Sequence, residues 1–233
     1  MPSTSTTHHR RSRIAPVLLT SAAVAALALA GCGSGGDHAG HGGGASTATT
    51  TSRADVDAAF VAQMVPHHEM AVEMAELVPR RSERAELRTL ARQVIATQEA
   101  EIVRLRTIAD RLGVRLPAGD GGHDAHAAHG GGALERDAAT LRLSVDEMGM
   151  SMDMAALERS KRFDRDFIDA MIPHHQGAIR MARAVLVAGA DPETRELAKA
   201  IVEEQAQEIA EMNAWRRAWF GAASPAGGVP GAG

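Results

Sequence analysis

The chain has 233 residues, is 45% hydrophobic, carries a formal charge of −4, and contains four Phe, two Trp and no Tyr. An acidic chain without a basic stripe argues against nucleic acid as partner. Plentiful Ala, Leu, Met and Val with few aromatics is the composition of closely approaching helices, not of a β-sandwich.

At the N-terminus, Arg10, Arg11 and Arg13 form a basic head and Ile14 to Ala30 an apolar run, closed by Leu29-Ala30-Gly31-Cys32. This is the pattern of a secretory signal. The alternative, a retained membrane span, would prefer ~20 apolar residues. The Arg pair is also compatible with twin-arginine export. A cysteine directly after Leu-Ala-Gly resembles the bacterial lipobox, which implies residues 1–31 as signal peptide and Cys32 as the lipidated new N-terminus. That would anchor the protein to the outer face of the cytoplasmic membrane. Losing residues 1–31 removes three Arg and no acid, taking the formal charge to −7. Cys32 is the only cysteine, so the mature chain has no disulfide and no thiolate metal site. Residues 32–53 read as a flexible tether, and residues 54–221 as the folded part.

The folded part contains a long internal repeat. Phe60-Val61-Ala62-Gln63-Met64-Val65-Pro66-His67-His68 recurs as Phe167-Ile168-Asp169-Ala170-Met171-Ile172-Pro173-His174-His175. The match continues without a gap at an offset of 107, bringing Met74 onto Met181, Gln98 onto Gln205 and Glu101 onto Glu208. A register held over about fifty residues marks a duplication, with repeats at 55–112 and 162–220.

Each repeat reads as two helices. Phe60, Met64, His67, Ala71, Met74 and Val78 step by four, three, four, three and four, an apolar stripe with His67 inside it. Pro79 is expected to end this helix and Ser82 to cap the next, which runs to Gly113, a plausible C′ residue. In the second repeat Asp191-Pro192-Glu193 combines a capping carboxylate, Pro at N1 and a first-turn acid. That helix stops at Gly221. Pro66 and Pro173 either bend their helices just before the His pair, freeing the carbonyls of Ala62 and Asp169, or start new helices at N1. Two such hairpins bury their stripes only against each other, giving an all-α, antiparallel four-helix bundle. Residues 113–160 are a Gly/His-rich and Met-rich linker with short helical fragments, and residues 222–233 a disordered tail.

Several residues could carry chemistry. His67-His68 and His174-His175 recur as adjacent pairs, flanked on the same stripe by Met64 and Met74 and by Met171 and Met181. A lone helical His is usually a core residue and Met an ordinary space-filler; recurrence in both repeats favours ligation. Thioether is a soft donor matched to Cu(I), and imidazole serves Cu(I) and Cu(II), whereas zinc and iron rarely take thioethers. Met148, Met150, Met152 and Met154 alternate with Gly149, Ser151 and Asp153. They are read as an extended, flexible thioether clamp or, alternatively, as apolar linker filling. His38 and His41, and His123, His126 and His129, lie in Gly-rich stretches and are secondary metal sites or solvated spacer. Glu101 and Glu208 either accept an imidazole N–H behind the metal, ligate it, or form an interhelical hydrogen bond or solvated edge.

Phe-x-x-x-Met-x-Pro-His-His followed by Ala-x-x-Met-Ala, with downstream Gln-x-x-Glu-Ile, resembles the CopM-like family (domain of unknown function 305). The resemblance spans roughly residues 55–112 and 148–220. It implies an exported protein with a ferritin-like four-helix fold that binds copper through His67, His68, His174, His175 and the flanking Met. The first repeat departs by having Glu69-Met70 where the second has Gln176-Gly177, and Leu105 where it has Met212. The two sites can therefore differ in ligands.

The leading functional expectation is copper sequestration or handover without catalysis, with copper ions, the membrane and an unidentified copper-handling protein as partners. The alternatives are a ferritin-like redox enzyme, against which no helix carries Glu-x-x-His, and a metal-free interaction module.

Overall fold

The computed structural model describes residues 51–117 and 132–231. Cys32, His38, His41, His123, His126 and His129 lie outside the described residues. Six helices make up the described fold: α1 (Arg53–Arg81), α2 (Ala85–Leu112), α3 (Ala133–Leu141), α4 (Met154–Arg159), α5 (Phe163–Ala188) and α6 (Pro192–Phe220).

Local chemistry sets most helix ends. Ser52 and Asp55 form a reciprocal capping box at the start of α1. The Asp191 carboxylate accepts the Thr194 N–H at the start of α6, with Pro192 in the first turn. Gly113 and Gly221 terminate α2 and α6 at φ 68° and 86°, the left-handed region that a residue without a Cβ enters at little cost.

Of the two readings left open for Pro66 and Pro173, the single-helix one holds: α1 and α5 run through both. Two expectations fail at the first hairpin's turn. Pro79 does not end α1, because residues beyond it still bond back, the Ser82 N–H reaching the Val78 carbonyl at 2.9 Å. Ser82 therefore closes α1, and its hydroxyl accepts the Arg84 N–H at 3.1 Å; α2 starts without a side-chain cap.

The four long helices form an antiparallel bundle. Arg53 at the start of α1 donates to the Gly189 carbonyl just past α5, and the Asp57 carboxylate accepts the Ala190 and Asp191 N–H groups at 2.7 and 2.8 Å. At the other end Arg81 lies over the Phe163 ring at the start of α5. Each helix packs most heavily on its hairpin partner; α1 against α5 is the main contact between hairpins, and α2 meets α6 only lightly. The predicted stripe of α1 lies wholly inside: Phe60, Met64, His67, Ala71, Met74 and Val78 are all 0% exposed. Large apolar side chains so buried contribute about 1.5–3 kcal/mol each.

The core is divided. One cluster takes Val56 to Met70 of α1, Ile102 to Ala109 of α2, Ala178 to Val185 of α5 and Leu197 to Ile201 of α6. The other takes Ala71 to Val78, Leu87 to Val94, Phe163 to Ile172 with Ile179, and Ile209 to Met212. On all four helices the changeover falls at buried polar residues: His67 and His68, Gln98 and Glu101, His174 and His175, Gln205 and Glu208. A polar layer crosses the bundle at mid-height.

Residues 222–231 depart from the expected disordered tail. They fold back along α5 and α6, where Gln176 Nε2 donates to the Ala226 and Gly228 carbonyls at 2.9 and 2.6 Å and Asn213 Nδ2 to Gly227 at 2.7 Å. Side-chain amides satisfy a backbone that composition alone leaves unpartnered. The first hairpin has Glu69 and Arg106 at the equivalent positions, and they pair with each other at 2.7 Å instead.

Candidate metal centre

Successive helix residues point about 100° apart, so each His-His pair splits between two neighbours. His67 and His174 turn toward the opposite hairpin and meet, with ring centroids 3.7 Å apart and planes inclined by 30°. His68 and His175 turn toward their own hairpin partner. His68 Nε2 lies 2.7 Å from Glu101 Oε2, and His175 Nε2 2.6 Å from Glu208 Oε2. Glu101 and Glu208 each face the outer histidine of their own hairpin across an interhelical hydrogen bond, a contact shared by the structural role and by that of an imidazole N–H acceptor behind a metal. With the carboxylate ionised, Nε2–H donates and Nδ1 is left as a lone-pair nitrogen, the arrangement by which a carboxylate fixes the tautomer of a ligating imidazole.

Burial governs the charge state. It pushes His67 and His174 well below the ordinary imidazole range, reinforced by repulsion from neighbouring histidines, and brings His68 down to about 3. The backbone carbonyls of His174 and Met148 face His67 and oppose part of its shift, without reaching hydrogen-bond geometry. Burial, then the nearby Glu208 carboxylate, raises Glu101 to about 7. Two imidazolium charges with centroids 3.7 Å apart would repel strongly, so the contact also disfavours protonating both rings.

The layer leaves six imidazole nitrogens without a hydrogen-bond partner: both nitrogens of His67 and of His174, and Nδ1 of His68 and of His175. Gln98 Oε1 and both polar atoms of Gln205 are also unpartnered. Each such buried group costs about 1–3 kcal/mol, so the layer opposes folding of the metal-free chain; its composition is explained by what it can hold. Neutral imidazoles with bare nitrogens fit copper in either oxidation state. Among the described residues no three His, Cys, Asp or Glu side chains converge into a cage. A site here therefore draws on further donors, and the core supplies thioethers.

The methionines bracket the layer. Antiparallel packing places Met64 in one cluster with Met181 of the opposite helix, together with Met148 and Met150. Met74 falls in the other with Met171 and Met154. The thioethers of one repeat's stripe thus do not gather around that repeat's own histidine; they are shared crosswise between hairpins. Met148 to Met154 does not form the flexible clamp expected from its sequence. Met148 is 0% exposed, Met150 and Met154 are 7%, and Met152, partly buried, packs against both clusters. The tract fills the core, the alternative left open above, and does so beside the histidines.

Gly177 is why it can. Its missing side chain admits the Met148–Gly149 backbone onto α5: a Cβ there would overlap the Met148 carbonyl and lie 2.6 Å from the Gly149 nitrogen. Gly149, at φ 73°, in turn rests on the Pro173 and His174 backbone. The signal was present in the repeats, since Met70 stands where the second has Gly177, but it reads as a ligand difference and not as a docking groove.

Comparison with known proteins agrees with this architecture. The domain of unknown function DUF305 matches residues 57–216. No match is found among curated proteins. CopM in its Cu(II)-bound form is 35% identical over 70% of this chain and 97% of its own, with a TM-score of 0.56. The Cu(I)-bound form aligns at 31% identity over 71% and 98%, with a TM-score of 0.55, and CopM has also been solved with silver. A candidate secreted DUF305 protein from Streptomyces coelicolor is 26% identical over 73% of this chain and 98% of its own, with a TM-score of 0.57. A helical bundle sharing family and fold with copper-bound structures, with Pro-His-His at mid-height of both hairpins, places this chain in the DUF305 family.

Proposed function

We propose that this protein binds copper outside the cytoplasmic membrane, for sequestration or handover and not for turnover, through His67, His68, His174 and His175 with core methionines as soft partners. The observation that carries this reading is the buried histidine layer with six bare imidazole nitrogens between two methionine-containing clusters. CopM, with Cu(I), Cu(II) and Ag forms, supports the metal class. Imidazole accommodates both copper oxidation states, and thioether favours Cu(I). Each carboxylate of the layer is committed to a histidine of its own hairpin, which favours holding an ion over the bridging carboxylates of a dinuclear oxidase.

Location follows from the basic head, the apolar run and Leu29-Ala30-Gly31-Cys32, and the candidate secreted relative supports export. Lipidation at Cys32 would hold the protein at the membrane, with palmitate labelling abolished in Cys32→Ala.

The test is a Cu(I) titration of the full-length chain against a competing chelator. Tight binding is expected in the parent and a lower stoichiometry in His67→Ala/His174→Ala. Unchanged stoichiometry in the double variant would transfer the chemistry to the Met148–Met154 tract or to the linker histidines His123, His126 and His129.

A further inference from the structure

A metal site needs a way in as well as ligands. His67, His68 and His175 are 0% exposed and His174 2%. An ion reaches the layer only where an opening touches one of these rings. Among the described residues, a cleft with a volume of about 450 Å³ has His174 in its lining. Gly149, Met152 and Leu157 wall it on the linker side, and Ala170, Pro173 and His174 on the α5 side.

We propose that this cleft is the entrance through which copper reaches the histidine layer, with the Met152 thioether as the outer donor and His174 as the receiving imidazole. The inference rests on the copper reading above and adds the route. Three observations carry it.

His174 is buried and lines the cleft with both ring nitrogens unpartnered, so in either neutral tautomer its one lone-pair nitrogen is uncommitted and open to an ion. Met152 lines the same cleft and packs against both core clusters. A polarisable sulfur there lets a soft ion exchange one ligand at a time while it loses water. The mouth is also negative. Asp146 accepts the Ser151 hydroxyl at 2.6 Å and Asp153 the Ala156 N–H at 2.8 Å. These donors are neutral and leave both carboxylate charges in place to concentrate cations. Asp169, deeper in, is compensated by Arg216.

The route is one-sided. The cleft exists because Gly177 and Gly149 let the methionine tract lie on α5. On α1 the position equivalent to Gly177 is Met70, a buried side chain. The layer is therefore approached here from the side of the second hairpin.

The experiment follows Cu(I) transfer from a chromogenic chelator to the apo, full-length chain by stopped flow, taking the phase that His67→Ala/His174→Ala lacks. Ala156 is exposed on the rim, and Ala156→Trp narrows the opening without touching the layer. Association and dissociation are both expected to slow at least about tenfold, with Kd kept within about threefold, because an obstruction raises the barrier in both directions. Ala156→Ser should keep the parent rate, as should Val187→Trp, at a residue 83% exposed and some 20 Å along α5 from His174. Parent-like loading in Ala156→Trp overturns the route. So does a weakened Kd with unchanged dissociation, which would mean the seat and not the path had altered. Absence of the histidine-dependent phase in the parent chain overturns the copper reading itself, a separate outcome.

Discussion

Gly177→Ala is the most direct test of how the layer is enclosed, because two physical effects predict opposite signs. In an isolated helix, replacing Gly by Ala stabilises by up to about 1 kcal/mol. Here the added methyl would overlap the Met148 carbonyl and crowd the Gly149 nitrogen at 2.6 Å, and backbone cannot swing aside as a side-chain tip can. If the tract merely shifts, overpacking costs about 1–3 kcal/mol. If it leaves α5, burial of Met148 (0% exposed) and Met150 (7%) is forfeited, about 1.5–3 kcal/mol each. Offset by the full helix gain, the variant is expected to be less stable by about 0–2 kcal/mol if the tract shifts and about 2–5 kcal/mol if it leaves. For a domain of this size that lowers Tm by roughly 2–4 °C per kcal/mol. Urea and thermal unfolding of the metal-free protein measure this, and faster proteolysis near residue 150 would report tract release. A variant more stable than the parent, with proteolysis near residue 150 unchanged, would refute the argument that the tract's docking depends on the missing Cβ.

Two further outcomes follow from particular contacts. The Arg111 guanidinium, chiefly, and the Thr194 N–H hold the Asp191 carboxyl below the usual carboxylate range. Its stabilisation is therefore complete above the unfolded value of 3.8 and lost as pH falls through that value toward the lower folded one. Asp191→Ala should cost about 1–2 kcal/mol near neutral pH, from a lost helix cap and a half-exposed ion pair. The difference from the parent in unfolding midpoint should shrink below about pH 4, and a gap independent of pH would contradict the charge argument. Truncation after Gly221 strips acceptors from Gln176, Arg183, Asn213 and Arg216. Tm is expected to fall by several degrees, on the order of 1–3 kcal/mol; an unchanged Tm would show that the tail contributes nothing.

Features that depend on local geometry were legible before any tertiary contact was known. The 3.6-residue period of Phe60, Met64, His67, Ala71, Met74 and Val78 marks a buried face, and all six are buried. The stops at Gly113 and Gly221 and the cap at Asp191 follow from backbone and hydrogen-bonding rules confined to a turn. The 107-residue offset singled out the same eight polar residues that cross the bundle. The structure departs from local expectation where the outcome depends on what the chain meets later. Pro79 fits inside a final turn that Ser82 can still close. Met148 to Met154 has no periodicity to reveal burial, and the tail's Gly and Pro residues look unpartnered until Gln176 and Asn213 supply donors.

By itself, the amino-acid order determined which helices form, which face of each is buried, and which residues lie at mid-height, since periodicity and end chemistry act over a few residues. Only the tertiary structure decided that His67 stacks on His174, that Met64 shares its cluster with Met181 instead of Met74, and that the methionine tract closes one side of the layer. Those outcomes depend on antiparallel crossing of α1 over α5 and on one backbone-to-backbone approach at Gly177. Such contacts join residues far apart in the chain, and no local rule encodes their register.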